Sequence, residues 1–454
     1  MARKRKSRRK KKKNYMNVIL QKMKDMNSIK QNILVLLFLS SSFVFGQEKS
    51  TLILGTTAHI GDGSIIKNAA IGFRDGEIDL IRSIDFSVDT SQYEQVIRLN
   101  GQHSYPGFIS PNNVLGLVEI DAVRATRDAD EVGSITPQVR SLVAYNTDSK
   151  IIPTVRSNGV LTVQSTPQGG RISGSSSIFN LDGWNWEDAV LKTDDAIHIN
   201  WPSVYERKWE NGTITYTENK KFEEQVDELI RFFEHAEAYT KSDFVLETNL
   251  RFEAMRGVFT GRKKVFIHAN NANELSSAIY FIREQQIKSP VIVGAYDALL
   301  VADLLVDYEI PVVLRRVHEL PLREDDAVDL PYQLPALLAE KGVLFCLQND
   351  GSMQAMGTRN LPFYAGTAAA YGLEKERALQ SITLDAAKIL GIDEEVGSIT
   401  KGKKATFFVS EGDALDMRTN KLSVAYINGK AIDLSSHQSD LYEKYMKKYG
   451  LETN

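Results

Sequence analysis

Tyr105-Pro-Gly-Phe-Ile-Ser-Pro-Asn-Asn-Val-Leu-Gly116 is the stretch on which the chain turns. Pro106 lacks a backbone N–H and fixes φ, and Gly107 tolerates conformations closed to other residues, so the pair marks a sharp junction. Phe108 and Ile109 then read as the start of a buried strand, and Gly116 ends the unit. Before the junction lie short β-type runs separated by turns. After it come long alternations of apolar runs and helical patterns. The change of rhythm predicts a β-rich part meeting an α/β part at Pro106.

On the N-terminal side the β-type runs are residues 51–54, 69–73, 78–81 and 96–99, with hairpin-type turn signals at Gly61-Asp-Gly63 and Arg74-Asp-Gly-Glu77. His59 and His103 fall here, ahead of the α/β part, and are expected to pack rather than to bind metal. On the C-terminal side, residues 159–163, 264–269, 290–294, 310–314 and 342–350 read as strands followed by loops or helices. That alternation implies a parallel sheet, and its length implies a closed barrel, which takes ~250 residues. Residues 167–177 read as a Gly/Ser-rich loop without the Gly-Lys-[Ser/Thr] ending of a phosphate cradle. Residues 222–239 read as an exposed amphipathic helix, and residues 196–202 as part of a loop near Trp184, Trp186 and Trp201 that serves as a lid, a partner surface or ordinary packing. From residue 396 the pattern returns to β.

The quoted stretch resembles the first barrel strand of the metal-dependent amidohydrolase superfamily, whose pattern is Pro-Gly-φ-Ile-Asp-x-His-x-His-φ-Gly. At the other end, residues 374–391 close in Ala-Lys-Ile-Leu-Gly, and Val396-Gly-Ser-Ile-Thr-Lys-Gly-Lys-Lys-Ala405 follows. Both resemble the family's C-terminal signature. The resemblance, in the imidazolonepropionase-like branch, implies an α/β fold: a TIM-like (β/α)8 barrel over residues 106–394, with a small β-sandwich composite domain built from both chain ends, residues 47–105 and 395–432. Residues 433–454 read as a helical tail.

Residues 1–46 differ from the rest. Ten Lys/Arg crowd residues 3–13, but Ile33-Leu-Val-Leu-Leu-Phe-Leu39 and Ser40-Ser-Ser-Phe-Val-Phe-Gly46 follow a short basic lead from Met26, itself a plausible start. This is the layout of a secretory signal peptide behind a basic leader, with cleavage after Gly46; an uncleaved membrane anchor is the alternative. The segment carries 13 Lys/Arg and one acidic residue, so within a total of −3 the remaining chain is net −15. So acidic a protein is a poor nucleic-acid binder. A secreted or periplasmic protein acting on a small molecule is expected. The single cysteine, Cys346, excludes an internal disulfide and reads as a core residue.

The resemblance implies a metal site of His-x-His on strand one, often a carboxylated Lys on strand four, His on strands five and six, and Asp on strand eight. Carried onto this chain, the strand-one positions hold Asn112 and Val114, strand six holds Gly294 or its neighbour, and strand four is not placed. His268 and Asp350 stand at the two positions that match, as candidate metal ligands, with Asp350 also the candidate proton shuttle. A single Zn or Mn is the cofactor implied, with His318 or Asp297 as auxiliary ligands. Asn112, Asn270, Arg315 and His318 are the candidate substrate-binding residues. Arg315 and Arg316 either bind a carboxylate in a fork or bridge to Glu324, Asp325 and Asp326. Two functions stay open: a hydrolase of amide or cyclic amide carbon–nitrogen bonds, or a binding or scaffold barrel paired with an active homologue.

Overall fold

The computed structural model describes residues 50–210, 212–242 and 247–451. The expected leader, signal peptide and cleavage after Gly46 therefore lie outside the described residues.

The two ends of the described chain build one eight-stranded sheet. At its centre is Thr51–His59, antiparallel to Ile65–Arg74 and parallel to Gln95–Arg98 and His103–Pro106. The turn from Ile65–Arg74 into Glu77–Ser83 places Asp75 at φ 50° and Gly76 at φ 78°, the two positive values that a tight hairpin demands. Phe407–Ser410 then pairs antiparallel with His103–Pro106, opposing Phe408 to Tyr105, and Leu422–Ile427 and Lys430–Ala431 complete the edge. Phe73, Phe407 and Tyr426 interlock under this sheet, so strands more than 300 residues apart share one core.

The barrel has eight strands: Phe108–Asn113, Val160–Ser165, Ile172–Asn180, Val190–Asn200, Lys264–Ala269, Pro290–Gly294, Val312–Leu314 and Phe345–Leu347, here barrel strands one to eight. Its lower interior is apolar, filled by Ile109, Ile178, Ala196, Phe266, Val291, Val313 and Cys346 against Ala386, Ala387 and Leu390 of the helix Leu384–Leu390. Cys346 is thus a core residue. Strands one and eight lie at opposite ends of the pairing path; Asn112 Nδ2 donates to Gln348 Oε1 across the seam (2.8 Å), and the Ile109 N–H is taken by the Ile382 carbonyl.

Four expectations are corrected here. The sheet is not wholly parallel: strand three runs antiparallel to strands two and four. Its sequence, Ile-Ser-Gly-Ser-Ser-Ser-Ile-Phe-Asn, is buried at every position, so it shows neither the alternation nor the β-branched run by which strands are read. Residues 172–177, expected as loop, are therefore strand. Residues 196–200 are likewise the end of strand four. Gly174 explains part of this: at φ 138° its missing Cβ lets the Val139 carbonyl approach to 2.6 Å of where a methyl would sit, so residues 135–140 lie directly on strand three. The helix Phe222–Lys241 also buries more than expected, with Leu229, Phe232, Phe233 and Ala236 inside.

Candidate active site

At the mouth of the barrel the strand ends enclose a cleft of ≈ 310 Å³. Asn112 comes from strand one, Asn200 from strand four, His268 from strand five and Asn270 from just after it, Val293 and Gly294 from strand six, and Asp350 from the turn after strand eight. Gln168 and Ser173 close it on the side of strand three, and Gln354 over strand eight. Four of the candidate residues thus converge: Asn112, His268, Asn270 and Asp350.

Arg315 and His318 do not line it. Both arms of the Arg315 guanidinium are held by Glu319 (2.6 and 2.8 Å), so neither the carboxylate fork nor a bridge to Glu324, Asp325 and Asp326 is realised. His318 Nε2 bonds Thr367 Oγ1, and its ring meets Tyr364 edge-on. Asp297 is taken by Arg323 and the Ala272 N–H. Of the tryptophans, Trp201 packs on Phe281 while Trp184 is exposed; they form no shared cluster. His59 is buried between Glu376 and His103 under the end-built sheet.

Asn112 is fixed by three bonds. At φ 46° its N–H reaches Gln164 Oε1 (2.9 Å), its amide donates to Gln348, and its carbonyl accepts from Gln354 Nε2 (2.6 Å). Val114, two residues on, belongs to the hydrophobic core outside the cleft. Gly294 sits at φ 94°, and a Cβ there would come within 2.6 Å of Asn270 Oδ1. Glycine at this position makes room for the Asn270 amide. Glu274 holds that loop: its carboxylate accepts the N–H groups of Asn270 and Asn271 and, from the chain after strand four, the Ser203 hydroxyl and the Val204 N–H.

His268 does not stand alone. Its Nε2 lies 3.1 Å from His198 Nδ1, and His198 Nε2 is 3.0 Å from Ser176 Oγ. Ser176 reaches Asp195 Oδ1 (2.8 Å), and Gln164 Nε2 donates to Asp195 Oδ2 (2.7 Å). Asp195 turns inward because strand four bulges: Ile178 faces Lys192 and Ser176 faces Ala196, leaving extra residues around Asp194 at φ 47°. Burial depresses the His268 ring to about 4 and drives His198 lower than its ordinary value, so both are neutral at pH 7. Burial pushes the Asp350 carboxyl up, opposed by the nearby Arg315 charge and by the Arg316 N–H at 3.1 Å.

The family-type metal site can be tested on this donor set. A catalytic zinc takes three protein ligands from His and carboxylate. The cleft offers His268 and Asp350; Asn112 could add only a neutral amide oxygen, a poor ligand for zinc, Gly294 has no side chain, and strand four ends in His198 and Asn200 while Lys192 bonds the Leu390 and Gly391 carbonyls. Among the described residues no three His, Cys, Asp or Glu side chains are placed to hold a metal ion.

Residues 332–432 match the model of the amidohydrolase family. An imidazolonepropionase of Shewanella frigidimarina (strain NCIMB 400) is 25% identical over 323 residues, covering 63% of this chain and 66% of that protein. The structure of an amidohydrolase from Thermotoga maritima MSB8 superposes with a TM-score of 0.73 at 22% identity, over 84% of this chain and 99% of the other. The chain is similar in sequence to amidohydrolases and shares their fold. A Xaa-Pro dipeptidase with bound methionine shares the fold more distantly, with a TM-score of 0.52 at 15% identity over 85% of this chain and all of that one.

The motif-matched positions His268 and Asp350 line one cleft. The partners behind them, Gln164, Ser176, Asp195 and His198, were missed. One signal was available: Ala196-Ile-His-Ile-Asn200 alternates small or polar with β-branched residues, the mark of a strand.

Proposed function

We propose that the barrel mouth binds a small uncharged molecule rich in N–H groups, such as an amide, a cyclic amide or a ureide, without the family's binuclear metal centre. The lining supports this reading: five carboxamides (Asn112, Gln168, Asn200, Asn270, Gln354), one hydroxyl, one neutral imidazole and one carboxylate, with no Lys or Arg. Carboxamides both donate and accept, so they suit the alternating N–H and C=O groups of an amide. An anionic ligand would meet Asp350 and no cation.

Hydrolysis of the carbon–nitrogen bond is the reaction the family relationship favours. Asp350, its affinity for protons raised by burial, is the group suited to take a proton from an attacking water and return it to the leaving nitrogen. His268 and Asn270 hold the substrate in place. The donor set does not fit a bound zinc. One observation favours a second reading, a binding or scaffold barrel that works alone or beside a metal-replete homologue: the cleft holds neither a cation nor three metal donors to polarise a carbonyl.

Calorimetry with hydantoin and with succinate, joined to NMR assay of hydantoin hydrolysis and elemental analysis of the dialysed protein, tests both. Binding of hydantoin but not of succinate, with well under one zinc or manganese per chain, is expected. Preference for succinate overturns the ligand class, and one tightly held ion overturns the metal-free site. Turnover lost ~10²-fold in Asp350→Asn supports the hydrolase; binding without turnover in the wild type supports the scaffold. Export rests on the sequence of residues 1–46, and a mature protein beginning at Gln47 on N-terminal sequencing would support it.

A further inference from the structure

We propose that the buried Asp195 carboxylate, acting through Ser176 and His198, fixes His268 as its Nε2–H tautomer and so presents a bare Nδ1 to the cleft as a hydrogen-bond acceptor. The direction of each bond follows from one end of the chain. A backbone N–H can only donate, so the Asn112 N–H fixes Gln164 Oε1 as acceptor and leaves Gln164 Nε2 to donate. That amide donates to Asp195 Oδ2 at 2.7 Å and lies 3.2 Å from Ser176 Oγ.

Asp195 is 1% exposed, and its second oxygen lies 2.8 Å from Ser176 Oγ. With Asp195 a carboxylate, Ser176 spends its only proton on it. The Ser176 oxygen must then accept from His198 Nε2–H at 3.0 Å. His198 Nδ1 is left bare and accepts His268 Nε2–H at 3.1 Å. His268 Nδ1 makes no hydrogen bond to a described residue, and His268 lines the cleft. Burial raises the Asp195 carboxyl above its ordinary value, opposed by the Ser176 and Gln164 hydrogen bonds and by the nearby charges of Lys192 and Lys263, and with both oxygens bonded to donors Asp195 is taken as the carboxylate. A neutral Asp195 with its proton on Oδ1 would reverse the bonds from Ser176 to His268 and turn Nδ1 into a donor.

Asp195 and His198 are positioning residues, for neither lines the cleft. Their part is to decide whether the ring at the cleft accepts or donates, which matters to any ligand with an N–H group. This use rests on the ligand class proposed above, but the tautomer exists without ligand. Asp195→Asn keeps the shape and inverts the order. Gln164 still donates to the new carbonyl oxygen, the new amide donates to Ser176, Ser176 donates to His198 Nε2, and His198 Nδ1–H donates to His268.

The test is two-bond 1H–15N correlation at pH 7 on the full chain labelled with 15N-histidine, the His268 ring assigned by its loss in His268→Gln. In the wild type, His268 should show a pyrrole-type Nε2 and a pyridine-type Nδ1, and in Asp195→Asn the two types should exchange. Ser176→Ala, which cuts the chain without touching the carboxylate, should populate both forms and serves if Asp195→Asn does not fold. A pyrrole-type Nδ1 in the wild type, or a ring unmoved by either substitution, overturns the proposal. Hydantoin binding should weaken about tenfold in Asp195→Asn, the worth of one hydrogen bond. If the wild type does not bind hydantoin, the ligand class fails while the tautomer measurement still decides this inference.

Discussion

A single methyl added at Gly294 would stand 2.6 Å from Asn270 Oδ1 and would force φ 94° on a residue with a Cβ. Both effects are costly, so Gly294→Ala should lower stability by about 2–3 kcal/mol in urea denaturation and weaken hydantoin binding. The same crowding opposes a histidine there. Val114 lies in the core, so rewriting the first strand as Asn112→His with Val114→His should destabilise the protein without giving stoichiometric zinc by elemental analysis. His268 adds a pH dependence with a definite sign. Its folded pKa of about 4 lies below the ordinary 6.5, so the unfolded chain binds more protons between those values. The stability gained from the neutral ring is full above pH 6.5 and is lost as pH falls towards 4. Comparison with His268→Gln isolates the ring from the buried carboxyls. The wild type should lose up to about 2 kcal/mol relative to that variant between pH 7.5 and pH 5.

At the scale of elements, Glu274 ties the start of the helix Ala272–Glu284 to the chain leaving strand four. Four of its five partners are donors from other residues' backbone or hydroxyl groups, and Asn271 Nδ2 supplies the fifth. Glu274→Ala strands them all, and a loss of about 2–4 kcal/mol is expected, with faster hydrogen exchange at Val204, Asn270 and Asn271. Strands five to eight were legible because apolar runs bounded by Gly or Pro alternate there with helical patterns. Strand three was not, since Ser and Gly buried on both faces carry no periodic signal. Without it the bulge at Asp194 and the inward turn of Asp195 had no frame, and the chain of bonds behind His268 stayed hidden.

For the whole molecule, the end-built sheet makes the chain interdependent. Ending it at residue 394 would remove Phe407–Ser410 and Leu422–Ile427, leaving His103–Pro106 without its antiparallel neighbour and Phe73 without Phe407 and Tyr426. Such a chain should fail to unfold cooperatively by circular dichroism and should aggregate on gel filtration. By itself the sequence determined the barrel frame, through Pro106-Gly107 and the closing Val396-Gly-Ser motif, and named four of the cleft's residues, Asn112, His268, Asn270 and Asp350. These follow from local rules: turn chemistry, apolar periodicity and positions counted along a motif. Only the tertiary structure decided the character of the cleft. Asn112 meets Gln348 across 236 residues and Asn113 meets Thr358 across 245, in a register set by packing many strands at once. The same packing consumed Arg315 in a pair with Glu319 and gathered uncharged amides where a metal site was looked for, because a side chain's partner depends on distances in space that its neighbours in sequence do not fix.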